Sequence, residues 1–193
     1  MKKTLKQLIQ TRRSIFPAQY TNGVIPQSDL LKILESARWA PNHRKTEPWR
    51  YKVLQGNALI DLGNFMVEQF SLSTDKAVPL KLKKLQEKLE VTSAMILIFK
   101  SRDVRESIPE WEEIAAVSMS VQNMWLTTHD LGYGCYWSSP KPFADMSKFS
   151  KITVDDREEF LGFFYIGTYD NDAVGSLGVP ERKSIEEFTQ FVQ

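Results

Sequence analysis

Two short segments of the 193-residue chain concentrate side chains able to hold an anion. Thr11-Arg12-Arg13-Ser14 closes a first helical stretch, and Ala40-Pro41-Asn42-His43-Arg44-Lys45-Thr46-Glu47-Pro48-Trp49 follows the next one. Each sets cationic and hydroxyl donors at a helix edge, where charge-assisted hydrogen bonds to phosphate or ring oxygens are available. A further basic pair, Arg182-Lys183, precedes Ser184-Ile185-Glu186-Glu187, whose serine and glutamate three places apart have the form of a capping box and predict a helix there. Taken singly, each basic pair also fits a solvated face. Ser14 beside the first pair and free helix N–H groups after the second complement phosphate in a way that a solvated face need not. Asn42-His43, directly after Pro41, fits a turn equally well.

Other chemistries are poorly supplied. One cysteine, Cys135, excludes a disulfide within the chain, and with only His43 and His129 beside it a zinc site lacks ligands. There is no Gly-x-Ser-x-Gly elbow, and Cys135 has no histidine near it in sequence to activate it. The Gly-x-Gly-x-x-Gly fingerprint and the Walker A loop are absent as well. With 25 basic and 24 acidic residues, no global field would hold nucleic acid or an anionic membrane, so any anion site must be local. The N-terminus runs into an amphipathic pattern instead of an apolar leader, and no stretch approaches the roughly 20 apolar residues of a spanning helix. The expectation is a soluble protein of a reducing cytoplasm.

The elements that must position these groups follow from periodicity. Leu5, Leu8 and Ile9 predict a helix over residues 3–12, which leaves Arg12 and Arg13 at its C-terminal end. Pro26-Gln27-Ser28 starts a second helix with an apolar stripe of Leu30, Leu31, Leu34 and Ala37, stopped by Pro41. Residues 49–55 alternate like a half-buried strand, and 57–72 return to helical spacing. Residues 94–99, an unbroken apolar run, predict a central strand covered on both faces. A long, mostly apolar helix from Trp111 to Leu131 is expected as the buried centre of the fold. Gly132-Tyr133-Gly134 ends it, and strands are predicted at 135–137 and 160–168. His129, inside the long helix, is expected in a core or an interface. Trp111, Trp125, Tyr133, Tyr136 and Trp137 fit either a core or the walls of a flat ligand's site.

Helices and strands without a regular βαβ rhythm favour an α+β sandwich over a doubly wound sheet. At 193 residues and with 42% apolar and 25% charged residues, the whole chain, 1–193, is expected to form one domain with a substantial core. Residues 71–92 read as a helical excursion, either solvated or mobile.

The order helix, Arg12-Arg13-Ser14, helix, Ala40-Pro41-Asn42-His43, Glu47-Pro48-Trp49 and strand resembles the flavin-dependent nitroreductase family, in particular its small YdjA-like branch. The likeness continues through Pro109-Glu110-Trp111-Glu112-Glu113, Gly132-Tyr133-Gly134-Cys135-Tyr136-Trp137-Ser138-Ser139 and Gly162-Phe163-Phe164-Tyr165-Ile166-Gly167-Thr168. The resemblance implies a nitroreductase-like fold, a central mixed or antiparallel sheet flanked by helices, in an intertwined homodimer. It implies bound FMN, with Arg12, Arg13 and Ser14 at the phosphate and ribityl chain and Arg182 and Lys183 also at the phosphate. Trp39, Pro41, Asn42 and His43 would meet the cofactor elsewhere, as would Trp137, Ser138 and Ser139. The long helix carrying Gln122 and Trp125 would lie at the dimer centre. The two opening segments thus become complementary halves of one expected site.

Two positions depart from the family pattern. Trp39 stands where the YdjA-like branch often has Arg, and Phe16 where larger members carry a base near the flavin pyrimidine edge. Hydride arriving at flavin N5 leaves negative charge near N1 and O2, which a cation or donor must stabilise. Arg13 is the candidate for that role here. Three phosphate contacts at roughly 1.5 to 3 kcal/mol each supply about 4.5 to 9 kcal/mol, whereas nanomolar retention needs about 12 kcal/mol. Burial of the ring must provide the rest. The implied activity is ping-pong electron transfer from NAD(P)H through FMN to a nitroaromatic, quinone or similar small acceptor. The alternatives are a flavin-binding dimer without turnover, or a related flavoenzyme such as a dehalogenase or dehydrogenase. No metal, nucleic acid or membrane partner is implied.

Overall fold

Four antiparallel strands form the centre: β1 (Trp49–Leu54), β2 (Ala94–Ser101), β3 (Gly134–Ser138) and β4 (Glu158–Gly167), in the spatial order β1-β2-β4-β3. The computed structural model describes residues 3–72, 79–140, 143, 145–174 and 180–192. No parallel pairing occurs among the described strands, so the sheet takes the antiparallel form of the expectation. β1 and β3 are its two edges.

β2 is buried along its whole length, as its apolar run requires. Met95, Leu97 and Phe99 point into one core, with Leu62, Phe65 and Met66 of α3 (Asn57–Leu72) and with Phe163 and Tyr165 of β4. Ala94, Ile96 and Ile98 point into the other, with Leu30 and Ile33 of α2 (Gln27–Ala37) and Val117, Val121 and Met124 of α5 (Glu110–Asp130). The period of two along one strand therefore builds two apolar layers, and the fold is helix, sheet, helix.

α1 (Leu5–Thr11) begins at a capping box that the opening residues concealed: Thr4 N–H donates to Gln7 Oε1 at 2.8 Å and Gln7 N–H to Thr4 Oγ1 at 3.3 Å. No residue of α1 is buried, and Leu5 and Ile9 are exposed. α4 (Pro79–Glu90) lies against α3, with Leu85 and Leu89 in the first core. Most of the expected excursion is thus packed helix, and residues 73–78 of it lie outside the described residues.

Two expectations need correction. α5 is not buried on all sides: Ala116, Val117, Ser120, Val121, Met124 and Thr128 form one buried stripe, while Trp111, Ile114, Met119 and Gln122 face outward. An amphipathic stripe suffices to seat a helix on a sheet, and the second apolar strip is surplus to that need. The helix expected after Ser184 shrinks to one 3₁₀ turn, Ile185–Glu187, although Ser184 N–H does donate to Glu187 Oε1 at 2.9 Å. A short α6 (Asn171–Val174) precedes this tail. No helix among the described residues is long and apolar enough to cross a membrane.

Candidate functional site

The chain turns sharply after α1 and is pinned to the edge of the sheet. Ile15 N–H donates to the Cys135 carbonyl at 3.1 Å, and a Cβ on Gly134 would meet Ile15 at 2.8 Å. That contact seats Arg12, Arg13 and Ser14 beside the start of β3. Trp125 of α5 is their platform. The Arg12 guanidinium lies 4.7 Å from its ring centroid, and the indole N–H donates to the Arg13 carbonyl at 3.2 Å. Sequence left Trp125 as either core or ligand wall; it is a residue that positions two cations.

Charge accumulates here. Burial lowers the Arg12 pKa; Cys135 opposes this, and the charges of Arg182 and Arg13 lower it further. Arg12 and Arg182 form no ion pair among the described residues. Arg13 donates to the Gln10 and Arg12 carbonyls at 3.2 and 3.0 Å. Lys183 follows Arg182 on the exposed tail.

His129 completes the cluster from the last turn of α5. Lys3 can only donate, so His129 Nε2 accepts from its ammonium at 3.1 Å, with Thr11 Oγ1 2.9 Å away. Burial first, then Lys3, Arg12 and Arg13, push the His129 pKa down to about 4. His129 thus lies half-buried at the α1–α5 contact and is neutral at physiological pH. Asp130 opposes these charges at His129, and a partly buried basic cluster of this kind is one that a dianionic phosphate would suit.

β3 leads from this cluster to the next three site residues. Its five residues place Ser138 about 14 Å from Gly134. The Trp137 indole N–H donates to the Leu161 carbonyl at 3.1 Å. Gly162 is needed beneath it: at φ 142° a Cβ would collide with the Trp137 ring and lie 2.6 Å from the Ser138 carbonyl oxygen. With its indole donor engaged, Trp137 offers ring face and backbone. Ser138 is half-buried, and Ser139, just past the strand, is exposed. Phe16 packs at 4.9 Å from the Tyr136 ring. The Cys135 thiol, which burial pushes up in pKa, is no nucleophile.

The second segment is elsewhere. His43 Nδ1 is 2.6 Å from Glu112 Oε2, in the first turn of α5. Glu112 and Trp125 are thirteen residues apart, about 20 Å along the helix. The segment also leads into β1, the edge opposite β3, about 14 Å away at three strand spacings. Trp39 is 74% exposed, and its indole N–H donates to Glu35 at 3.1 Å. Pro41 is exposed. Asn42 turns inward, its Oδ1 accepting from Glu47 N–H at 3.1 Å. Gln122 lies on the outer strip of α5 between the two anchor points. The two segments therefore do not converge within one chain. Glu112, which reads in sequence only as a favourable charge at a helix start, is what anchors the second one.

That second segment is strained. Arg44, Lys45 and Glu47 have φ of 52°, 55° and 43°, a region costing a residue with a Cβ on the order of 1–2 kcal/mol. The His43 carbonyl accepts from both Thr46 N–H and Thr46 Oγ1, at 3.3 and 3.2 Å, and Pro48 is buried, so the loop is held in this shape.

The family model described as the nitroreductase family matches residues 9–168, a span holding all these groups except Lys3, Arg182 and Lys183. YfhC of Bacillus subtilis (strain 168), provisionally named an NAD(P)H nitroreductase, is 28% identical over 84% of this chain and 83% of its own. Among solved structures, a nitroreductase-like family protein of Bacillus cereus superposes with a TM-score of 0.82 at 26% identity, covering 100% of this chain and 98% of that one. The FMN-dependent nitroreductase NfnB of Mycobacterium smegmatis, in complex with NADPH, superposes with a TM-score of 0.77 at 16% identity, covering 97% of both chains. At that identity NfnB speaks for the fold.

Proposed function

The chain belongs to the nitroreductase family, and from that premise we propose that it is a homodimeric oxidoreductase with two FMN sites, each shared between protomers, that passes electrons from NAD(P)H to a small acceptor. The observation that carries this reading is the division of the site along α5. One anchor is at Glu112 and the other at Trp125, and the strip between them, with Ile114 and Met119, is apolar and exposed. A two-fold axis across that strip would run α5 against its copy. It would cover the apolar side chains and bring the His43 end of one protomer to the Arg12 end of its partner.

Arg12, Arg13, Ser14, Arg182 and Lys183 would hold the FMN phosphate, the fit being that of a partly desolvated basic cluster to a dianion. Trp137, Ser138 and Ser139 would line the flavin along β3, and Gln122 the outer strip of α5. Trp39, Pro41, Asn42 and His43 of the other protomer would close the far side of the ring. FMN supplies the redox chemistry when bound, so the protein's work is binding, orientation and exclusion of water. This accounts for the lack of an acid/base dyad in the sequence. The acceptor is taken to be a nitroaromatic or quinone, reduced in a ping-pong cycle.

Absorption spectrum and native mass of the purified protein test the reading, followed by anaerobic mixing with NADH and NADPH. A yellow dimer bleached by either nicotinamide is expected. A monomer that gains no flavin absorbance on incubation with FMN overturns it. Bound flavin that neither nicotinamide bleaches would replace the enzyme by a flavin-binding dimer.

A further inference from the structure

Residues 42–47 do more than connect α2 to β1. A plain connection needing left-handed backbone at two successive positions would use glycine or asparagine. This loop uses Arg44 and Lys45, with Glu47 left-handed two places on. The strain is held by bonds that engage other groups: Asn42 on Glu47 N–H, Thr46 on the His43 carbonyl, and His43 on Glu112. None of these engages the two cationic side chains. Both are exposed and form no ion pair among the described residues. Glu47 contributes one opposing charge, while Glu112 is engaged by His43 at 2.6 Å. Fixed backbone, solvent-facing cations and retained strain mark a presentation device.

We infer that Arg44 and Lys45 dock a phosphoryl group of the reducing dinucleotide, and so set its affinity and its choice between NADH and NADPH. The inference rests on the reading above, in which this loop reaches the partner's flavin site. There the flavin phosphate already has its own cations at Arg12 and Arg182, so the loop's pair is available to a second phosphorylated ligand. The planar guanidinium of Arg44 suits bidentate phosphate contact and the ammonium of Lys45 a point charge beside it. The phosphoryl group has two sources. The pyrophosphate belongs to both nicotinamides, and the 2′-phosphate to NADPH alone.

The test uses R44N, K45N and the double variant, because asparagine tolerates left-handed backbone and the fold should persist. Reduction of the holoenzyme by NADH and by NADPH is followed anaerobically as a function of concentration. In parallel, calorimetry measures binding of ADP and of adenosine 2′,5′-bisphosphate. Each single variant should weaken the dinucleotide about tenfold and the double variant more. Loss with NADPH and the bisphosphate only assigns the 2′-phosphate, and equal loss with NADH, NADPH and ADP assigns the pyrophosphate. Unchanged affinity for all four ligands overturns the inference, as does a loss confined to the acceptor half-reaction. Wild-type protein that takes up no flavin would instead overturn the underlying reading. Calorimetry then still decides, since nucleotide binding that the double variant abolishes sustains the docking role and nucleotide binding that it leaves intact ends it.

Discussion

The two ends of α5 hold the same kinds of side chain in opposite electrostatic states. At its start, Glu112 is hydrogen-bonded to the exposed His43 at 2.6 Å, and the Arg102 cation is paired with the fully buried Glu113 at 2.9 Å. At its end, Lys3, Arg12 and Arg13 act on a neutral His129, with Asp130 opposing them, and Arg182 acts on Arg12. One end is stable as it stands, and the other is poised for an anion. At the first, the buried Glu113 carboxylate has both the Arg102 guanidinium and the Asp103 N–H as donors. At the second, burial and neighbouring like charges lower the pKa of both Arg12 and His129, which an anionic ligand would relieve, and function should be sought there.

The comparison breaks most completely if the ends are never brought together. Arginine at both Ile114 and Met119 would place unpaired charge in the strip between them. The dimer should weaken by two orders of magnitude or more, about 3 kcal/mol, with flavin lost in parallel. Native mass and absorbance of the same sample check this, and an intact dimer without flavin would contradict the shared site. Arg12→Ala acts on the C-terminal end alone. Flavin affinity should fall about 10- to 150-fold, for 1.5 to 3 kcal/mol, with the dimer intact, as read by equilibrium dialysis.

His129 reports the state of that same end. Its folded pKa of about 4 lies below the ordinary 6.5, so protonation favours the unfolded chain. The contribution is therefore complete above pH 6.5 and lost as pH falls from there through 4. Discounted for partial exposure, it is about 1–2 kcal/mol. His129→Gln should flatten the acid limb of a denaturation series between those values. Bound FMN should raise the His129 titration midpoint followed by NMR, and an unmoved midpoint would place the phosphate elsewhere. The smallest effect belongs to Glu112→Gln. It should lower stability by under about 1 kcal/mol, yet loosen the His43 loop and slow reduction by nicotinamide more than it alters flavin affinity.

Much of this was legible beforehand. β2 announced itself because six successive apolar residues leave a strand no solvent face, and α2 because its stripe repeats at helical spacing. The donor-rich segments were visible because Arg, Ser and His carry their chemistry wherever they are placed. Less visible was Trp125, whose indole looks the same in a core as beneath a guanidinium. The Ser184 capping box formed its bond without extending into a helix, because a local signal cannot supply the packing that sustains one.

Local composition thus determined the elements and marked the donor-rich segments. Tertiary structure decided the rest: that the charge of Arg182 acts on Arg12 across 170 positions of chain, that His43 meets Glu112, and that about 20 Å of helix separates the two segments. The reason is physical. Patterning records which face of an element is apolar, whereas the distance between two sites depends on how rigid elements cross, and no short stretch of sequence records that.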